Sequence, residues 1–279
     1  MDSLSLCAFA DEAGASLSEQ IDALHANRIP MIEIRGVDGR NITDFSLVEA
    51  RRLARRLKDE DIRVWSIGSP CGKIGIRDPF PPHLDLFRHT LELADILGAR
   101  CVRLFSFYLN GLPHDACRDE VLDRLSRMVQ AACGSKALLC HENEKGIYGD
   151  TAARCEDIHR ALPSLRAVFD PANFLQCGQN TLEAFDRLSP HIAYFHVKDC
   201  AANGTIVPAG QGVGRLAELL RKFRAQGGRV VTLEPHLAVF AGLERLEQGA
   251  ESEIEGRYPT QRAAFDAAAM AMRRCLPLD

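Results

Sequence analysis

Short apolar runs and helical patterns alternate along this chain, and most of the apolar runs give way to polar or ionisable residues. Leu4 to Phe9 reads as a first strand. Ser16-Leu17-Ser18-Glu19 then has the capping-box spacing of a helix carrying Ile21 and Leu24 on one face. Met31 to Ile34 reads as a second strand, and Ser46-Leu47-Val48-Glu49 starts a helix with Leu47, Ala50, Leu53, Ala54 and Leu57 at helical spacing. Arg63 to Ile67 gives a third strand, followed by a long loop through Gly68, Pro70, Gly72 and Lys73. A helix from about His83 to Leu97 is expected to stop at Gly98. Cys101 to Phe105 reads as the fourth strand, and a helix from about Asp115 to Cys133 follows.

The second half repeats the alternation. Leu138 to Glu142 is an apolar run opening into His141-Glu142-Asn143-Glu144-Lys145, and Asp150 is placed to cap the next helix. Ala167-Val168-Phe169-Asp170, Ile192-Ala193-Tyr194-Phe195-His196 and Arg229-Val230-Val231-Thr232-Leu233-Glu234 follow the same form. Helices are expected around Leu182 to Leu188, Leu216 to Phe223 and Ala263 to Met272. Eight strands alternating with helices predict one (β/α)8 TIM barrel spanning residues 1–279. An open doubly wound sheet is the other arrangement considered. It fits less well, because Asp11-Glu12-Ala13-Gly14 stands where a Gly-x-Gly-x-x-Gly turn would follow the first strand.

Composition narrows the picture. Thirty-four basic and 38 acidic residues give a formal charge of −4, which argues against a nucleic-acid partner. The ten cysteines include no Cys-x-x-Cys pair, and the start of the chain lacks the basic, long apolar form of a signal peptide, so a reduced, cytoplasmic protein is expected. No window approaches the roughly 20 apolar residues of a membrane helix. Nothing in the pattern excludes a homo-oligomer.

Barrel enzymes place their chemistry at the carboxyl ends of the strands. Four of those ends carry Glu142, Asp170, His196 and Glu234, separated by 28, 26 and 38 residues, each interval long enough for a strand, a helix and two loops. Two glutamates, one aspartate and one histidine make a mixed oxygen and nitrogen set suited to Mn²⁺ or Mg²⁺ rather than to a metal that prefers thiolate. A divalent metal chelating a carbonyl and its neighbouring hydroxyl acidifies the α C–H, so Glu142 and Glu234 are the candidate catalytic base and acid. Arg35, Lys73, Glu144, Asn173, Lys198 and His236 stand on the same rim as candidate contacts for the hydroxyls of a small substrate. Plainer roles compete with these: Lys198 pairing with Asp199, an ion-pair network of Asp11, Glu12, Glu33 and Arg35, and His141 turned away from the site because it adjoins Glu142 on a strand. Cys140 reads as a small buried filler.

Taken in order, Phe9-Ala10-Asp11-Glu12, Ile32-Glu33-Ile34-Arg35, Ile67-Gly68-Ser69-Pro70, His141-Glu142-Asn143, Asp170-Pro171-Ala172-Asn173, His196-Val197-Lys198-Asp199, Gly210-Gln211-Gly212 and Leu233-Glu234-Pro235-His236 resemble the sugar phosphate isomerase/epimerase superfamily of xylose-isomerase-like barrels. The resemblance spans nearly the whole chain. It implies a divalent metal, Mn²⁺ first with Mg²⁺, Co²⁺ or Zn²⁺ as alternatives, held by Glu142, Asp170, His196 and Glu234. It also implies proton transfer next to the carbonyl of a ketose or keto-sugar through an enediolate. Two departures keep a lyase or dehydratase acting on a keto-sugar or keto-inositol in view. Asn173 stands where many epimerases of the group have histidine, and Gly-Gln-Gly-Val replaces their Gly-Glu-Gly-Asp. A phosphodiester hydrolase like the endonucleases sharing this barrel would need further histidines that the rim does not offer, and a sugar-binding barrel without catalysis is the remaining reading.

Overall fold

The computed structural model describes residues 4–240 and 258–276. Eight parallel strands close into a barrel: β1 (Ser5–Ala8), β2 (Met31–Ile34), β3 (Arg63–Ile67), β4 (Cys101–Leu104), β5 (Leu138–Glu142), β6 (Arg166–Phe169), β7 (Ile192–Val197) and β8 (Val230–Leu233). Neighbours in sequence are neighbours in space, and β1 closes the ring on β8 in the register Ser5 to Val230 through Ala8 to Leu233. Every strand the sequence predicts is present, and the (β/α)8 TIM barrel is the observed fold.

Nine helices are found among the described residues: α1 (Leu17–Ala26), α2 (Leu47–Asp59), α3 (Phe80–Leu97), α4 (His114–Ala131), α5 (Ala152–Ala161), α6 (Pro171–Gln176), α7 (Thr181–Leu188), α8 (Leu216–Ala225) and α9 (Gln261–Cys275). The capping boxes are formed as expected. Ser16 Oγ accepts from the Glu19 amide at 3.3 Å while Glu19 Oε2 accepts from the Ser16 amide at 2.9 Å, and Ser46 with Glu49 repeats the arrangement at the start of α2. Helix α3 begins at Phe80, earlier than the pattern suggested, because Pro81 and Pro82 fall in its first turn, where their missing N–H groups cost nothing. The cap of α5 is Thr151 rather than Asp150: Thr151 Oγ1 accepts from the Arg154 amide, and Asp150 instead accepts from the Arg154 guanidinium at 2.8 Å. None of the helices among the described residues is long and apolar enough to cross a membrane. All ten cysteines are unpaired.

The apolar core has two parts. One lies between the strands and the surrounding helices; the other, made by Cys7, Met31, Cys101, Cys140, Val168, Tyr194 and Val230, fills the barrel interior as a floor. Alternate residues share a strand face, so two positions beyond five floor residues come Glu33, Arg103, Glu142, Asp170 and His196, all buried. The floor thus excludes water beneath a layer of charged side chains. Glu234, four residues beyond Val230, completes that layer.

Candidate metal centre

Four strand ends each bring one candidate ligand to a common point. Glu142 is the last residue of β5, Asp170 follows β6, His196 lies near the end of β7 and Glu234 follows β8. One ligand atom from each lies within 4.8 Å of the others. His196 Nδ1 is 2.9 Å from Glu142 Oε1 and 3.0 Å from Glu234 Oε2. On the far side of the ring, Nε2 is 3.2 Å from Glu33 Oε2, and Glu33 Oε1 accepts the Tyr194 hydroxyl at 2.8 Å. Glu33 accepts from Nε2–H and so fixes the ring with Nδ1 toward the carboxylates, the orientation that carboxylate partners impose on metal-binding histidines; without metal, Nδ1 also carries a proton.

Asp170 has two tasks. Its Oδ1 caps α6 by accepting from the Asn173 amide at 2.9 Å, and its backbone is clasped by the Asn143 side chain, which donates to Asp170 O at 2.9 Å and accepts from Asp170 N at 3.0 Å. The second oxygen, Oδ2, points into the centre. The Asn173 side chain donates to Asn143 O at 2.9 Å, so this amide braces the ligand loop. The short helix α6 that Asp170 caps is absent from the sequence reading.

Burial and neighbouring charges act in opposition on His196, Asp170, Glu234 and Lys198. Burial alone would push His196 down, but Glu142, Glu33 and Glu234 outweigh it and hold its pKa well above the usual histidine value. Burial pushes Asp170 up to about 6 against the pull of Lys198. Burial would also raise Glu234, yet Lys198 and His196 hold it well below the usual carboxylate range. Lys198 in turn is desolvated, and Asp170 and Glu234 more than compensate, so it remains an ammonium.

A divalent ion fits this donor set. Glu142 Oε2 and Asp170 Oδ2 are buried and accept no hydrogen bond. Lys198 Nζ lies 2.7 Å from Asp170 Oδ2, and Arg103 Nη1 lies 3.1 Å from Glu142 Oε2, both as charge contacts outside hydrogen-bond directionality. Opposite ligands of an octahedral ion bound at about 2.1 Å are separated by about 4.2 Å, and the candidate ligand atoms here all lie within 4.8 Å of one another. A second cluster, Glu12, Glu234 and His236, has comparable spacing. It shares Glu234 with the first, and there the Arg35 guanidinium lies 3.2 Å from both Glu12 Oε1 and Glu234 Oε1.

The remaining rim residues sort by their partners. Arg35 also makes a bidentate pair with Asp11 at 2.8 and 3.0 Å and lies between the Phe9 and Phe240 rings, so it belongs to a buried ion network with Asp11, Glu12 and Glu234. Its link to Glu234 also orients a ligand. His236 Nε2 is 3.5 Å from both Glu12 Oε1 and Glu234 Oε1, and its amide donates to Glu12 Oε2 at 2.7 Å. Lys73 Nζ donates to Glu144 Oε2 at 3.1 Å, and despite burial Lys73 and Lys198 draw Glu144 down to about 2. Lys198 does not pair with Asp199. Neighbouring residues after a strand project to different sides, so Lys198 meets Asp170 and Glu234 while Asp199 turns to a glycine loop. His141 turns away as expected, with Nε2 3.0 Å from Ser106 Oγ. Sequence reasoning put Glu33 in an ion-pair network and gave Arg103 no role, whereas Glu33 faces His196 and Arg103 faces Glu142. Their spacing of two residues from Met31 and Cys101, the same as Glu142 from Cys140, is the signal that identifies them.

The chain belongs to the family described as xylose isomerase-like TIM barrel, whose model matches residues 20–256. No curated protein matches it. Among solved structures, D-psicose 3-epimerase in the presence of D-fructose is similar with a TM-score of 0.76 and 15% identity, over 97% of this chain and 98% of that one. The IolI protein with a binding zinc atom gives 0.74 and 16%, covering 98% of each chain. The probable 3-DHS dehydratase AsbF of Bacillus anthracis gives 0.73 and 16%, over 98% of this chain and 99% of that one.

Proposed function

We propose that this protein is a divalent-metal-dependent sugar isomerase or epimerase that moves a proton next to the carbonyl of a ketose or keto-sugar through an enediolate. The observation that carries the reading is the disposition of Glu142 and Glu234. They stand three strands apart around the barrel, and each turns one oxygen toward His196 Nδ1 and keeps a second oxygen beside Arg103 or Arg35. Glu142, Asp170, His196 and Glu234 would hold the ion, Mn²⁺ being the first choice for so oxygen-rich a set, with Mg²⁺, Co²⁺ and Zn²⁺ as alternatives; a similar structure contains a zinc atom. When bound, such an ion polarises the substrate carbonyl and adjacent hydroxyl and so acidifies the α C–H.

The side chains supply the remaining steps. Glu234, kept ionised by Lys198 and His196, takes the α proton, and Glu142, which enters the cycle carrying a proton from solvent, delivers it from across the barrel; both carboxyls then return to their starting states by proton exchange with water. Lys198, held as an ammonium beside Asp170 and Glu234, donates to the oxygen that gains charge. His236, Lys73 and Glu144 bind substrate hydroxyls, while Asn173 and Arg35 act through the ligands they brace. Floor residues and the Phe9, Phe105 and Phe240 rings keep water from the intermediate. Epimerases among the similar structures support this reading.

The test is deuterium exchange from heavy water into a panel of ketoses and keto-inositols with Mn²⁺ present. Exchange at the α carbon is expected, abolished by chelation and lowered about 10²–10⁴-fold by Glu142→Gln or by Glu234→Gln. No exchange across the panel by metal-loaded protein would refute the reading. A second outcome has its own support: Asn173 cannot shuttle a proton near neutral pH, and a probable dehydratase is among the similar structures. Exchange accompanied by loss of water from the sugar, seen by mass spectrometry, would mark elimination instead of isomerisation.

A further inference from the structure

The segment following β7 is where (β/α)8 enzymes frequently hold a phosphate on backbone N–H groups. In this chain four such groups converge there, and the acceptor they meet is internal. Asp199 Oδ2 accepts from the Gly210 amide at 2.9 Å and the Gly212 amide at 3.1 Å, while Oδ1 accepts from the Gly214 and Cys200 amides at 3.0 Å each. The carboxylate is buried and fills the concavity. It also explains two of the glycines. A Cβ on Gly212 would lie 2.4 Å from Asp199 Oδ1 and 2.3 Å from Cys200 O, and one on Gly214 would lie 2.6 Å from Asp199 Oδ1. The loop is therefore glycine-rich in order to wrap a side chain of its own.

The charges around the mouth point the same way. Arg35, Arg103, Lys73 and Lys198 each have a carboxylate within 3.2 Å. Among the described residues these four cations and the protonated His196 face seven buried or nearly buried carboxylates, Asp11, Glu12, Glu33, Glu142, Glu144, Asp170 and Glu234, an excess of two negative charges without metal, and of one when a divalent ion replaces the His196 proton. A phosphate dianion entering this layer would meet net repulsion.

We infer that Asp199 is a built-in occupant of the anion-binding loop and that the site takes an uncharged, unphosphorylated keto-sugar. The loop part stands on its own geometry; the statement about substrate rests on the sugar-processing reading above. Inorganic phosphate is the probe, titrated into metal-free full-length protein by calorimetry so that no bound ion can recruit it. The wild type is expected to show no saturable binding below about 10 mM, and Asp199→Ser, which uncovers the four N–H groups, to bind phosphate at least about tenfold more tightly. Submillimolar phosphate binding by the wild type overturns the inference, as does a folded Asp199→Ser protein that gains nothing. If that variant fails to fold, the wild-type titration still decides, together with competition between D-fructose and D-fructose 6-phosphate on the Mn²⁺-loaded protein, where tighter binding of the ester counts against the inference. Absence of sugar exchange alongside absence of phosphate binding would remove the isomerase reading and leave the role of Asp199 intact.

Discussion

Glu33 offers the sharpest perturbation of the centre, because it touches no proposed ligand oxygen and acts only through His196. It is fully buried, its Oε2 lies 3.2 Å from His196 Nε2, and its Oε1 is held by the Tyr194 hydroxyl, which sits 3.1 Å from Ser66 Oγ in turn. Glu33→Gln keeps the shape and leaves one oxygen able to accept the Nε2 proton, but it removes the charge that makes Nδ1 a stronger donor. Losses on removing such partners of metal-bound histidines run from about 10- to 100-fold in affinity. With an acceptor retained, the lower end is expected, about tenfold or about 1.4 kcal/mol. Tyr194→Phe should loosen Glu33 by one hydrogen bond, about 0.5–1.5 kcal/mol, and so weaken the metal less. Titration of Mn²⁺ into the wild type and both variants, with circular dichroism confirming the fold, gives the answer. An Mn²⁺ affinity of folded Glu33→Gln within twofold of wild type would refute the orienting role.

Metal binding should depend on pH with a definite sign. The ion needs Asp170 ionised and His196 neutral; burial puts the Asp170 pKa at about 6, and the surrounding carboxylates keep His196 protonated well above its usual range. Binding should therefore release about two protons below pH 6 and about one above it, so Mn²⁺ affinity rises with pH across this range, and calorimetry in buffers of different ionisation enthalpy that shows no proton release would contradict it. Gly212→Ala forces a Cβ to within 2.3 Å of the Cys200 carbonyl oxygen. Overpacking of this kind costs about 1–3 kcal/mol, a fall of several degrees in thermal unfolding, and an unchanged melting temperature would show that the loop is not held as described.

The barrel and the four proposed ligands were legible because both rest on local signals: strands of period two, helices with capping boxes, and a polar residue where each apolar run stops. Of the floor only Cys140 was read, as a small buried filler, although its place two positions before Glu142 on the same face marks the layer. What escaped was set by contacts between distant segments. Glu33 meets His196 across 163 residues and His236 meets Glu12 across 224, and neither pairing leaves a mark on its own strand. A register shift between Ile32 and Glu33, where β2 pairs with β3, further obscures which residues of that pair point inward. Lys198 looked like a partner for its neighbour Asp199, but chain adjacency after a strand separates side chains. The ring of strands then brings Asp170 to Lys198 and leaves Asp199 to the glycines. Helix α6 was missed because it has only six residues, too few for a periodic pattern.

The account's central claim is that Glu142, Asp170, His196 and Glu234 bind one divalent ion together. A crystal of the full-length protein soaked in Mn²⁺, with anomalous scattering recorded, tests it most directly. The predicted result is a single strong peak at the barrel mouth, at coordination distance from a carboxylate oxygen of each of the three acids and from His196 Nδ1. No peak there, or an ion bound elsewhere with His196 still paired to Glu142 and Glu234, would contradict it.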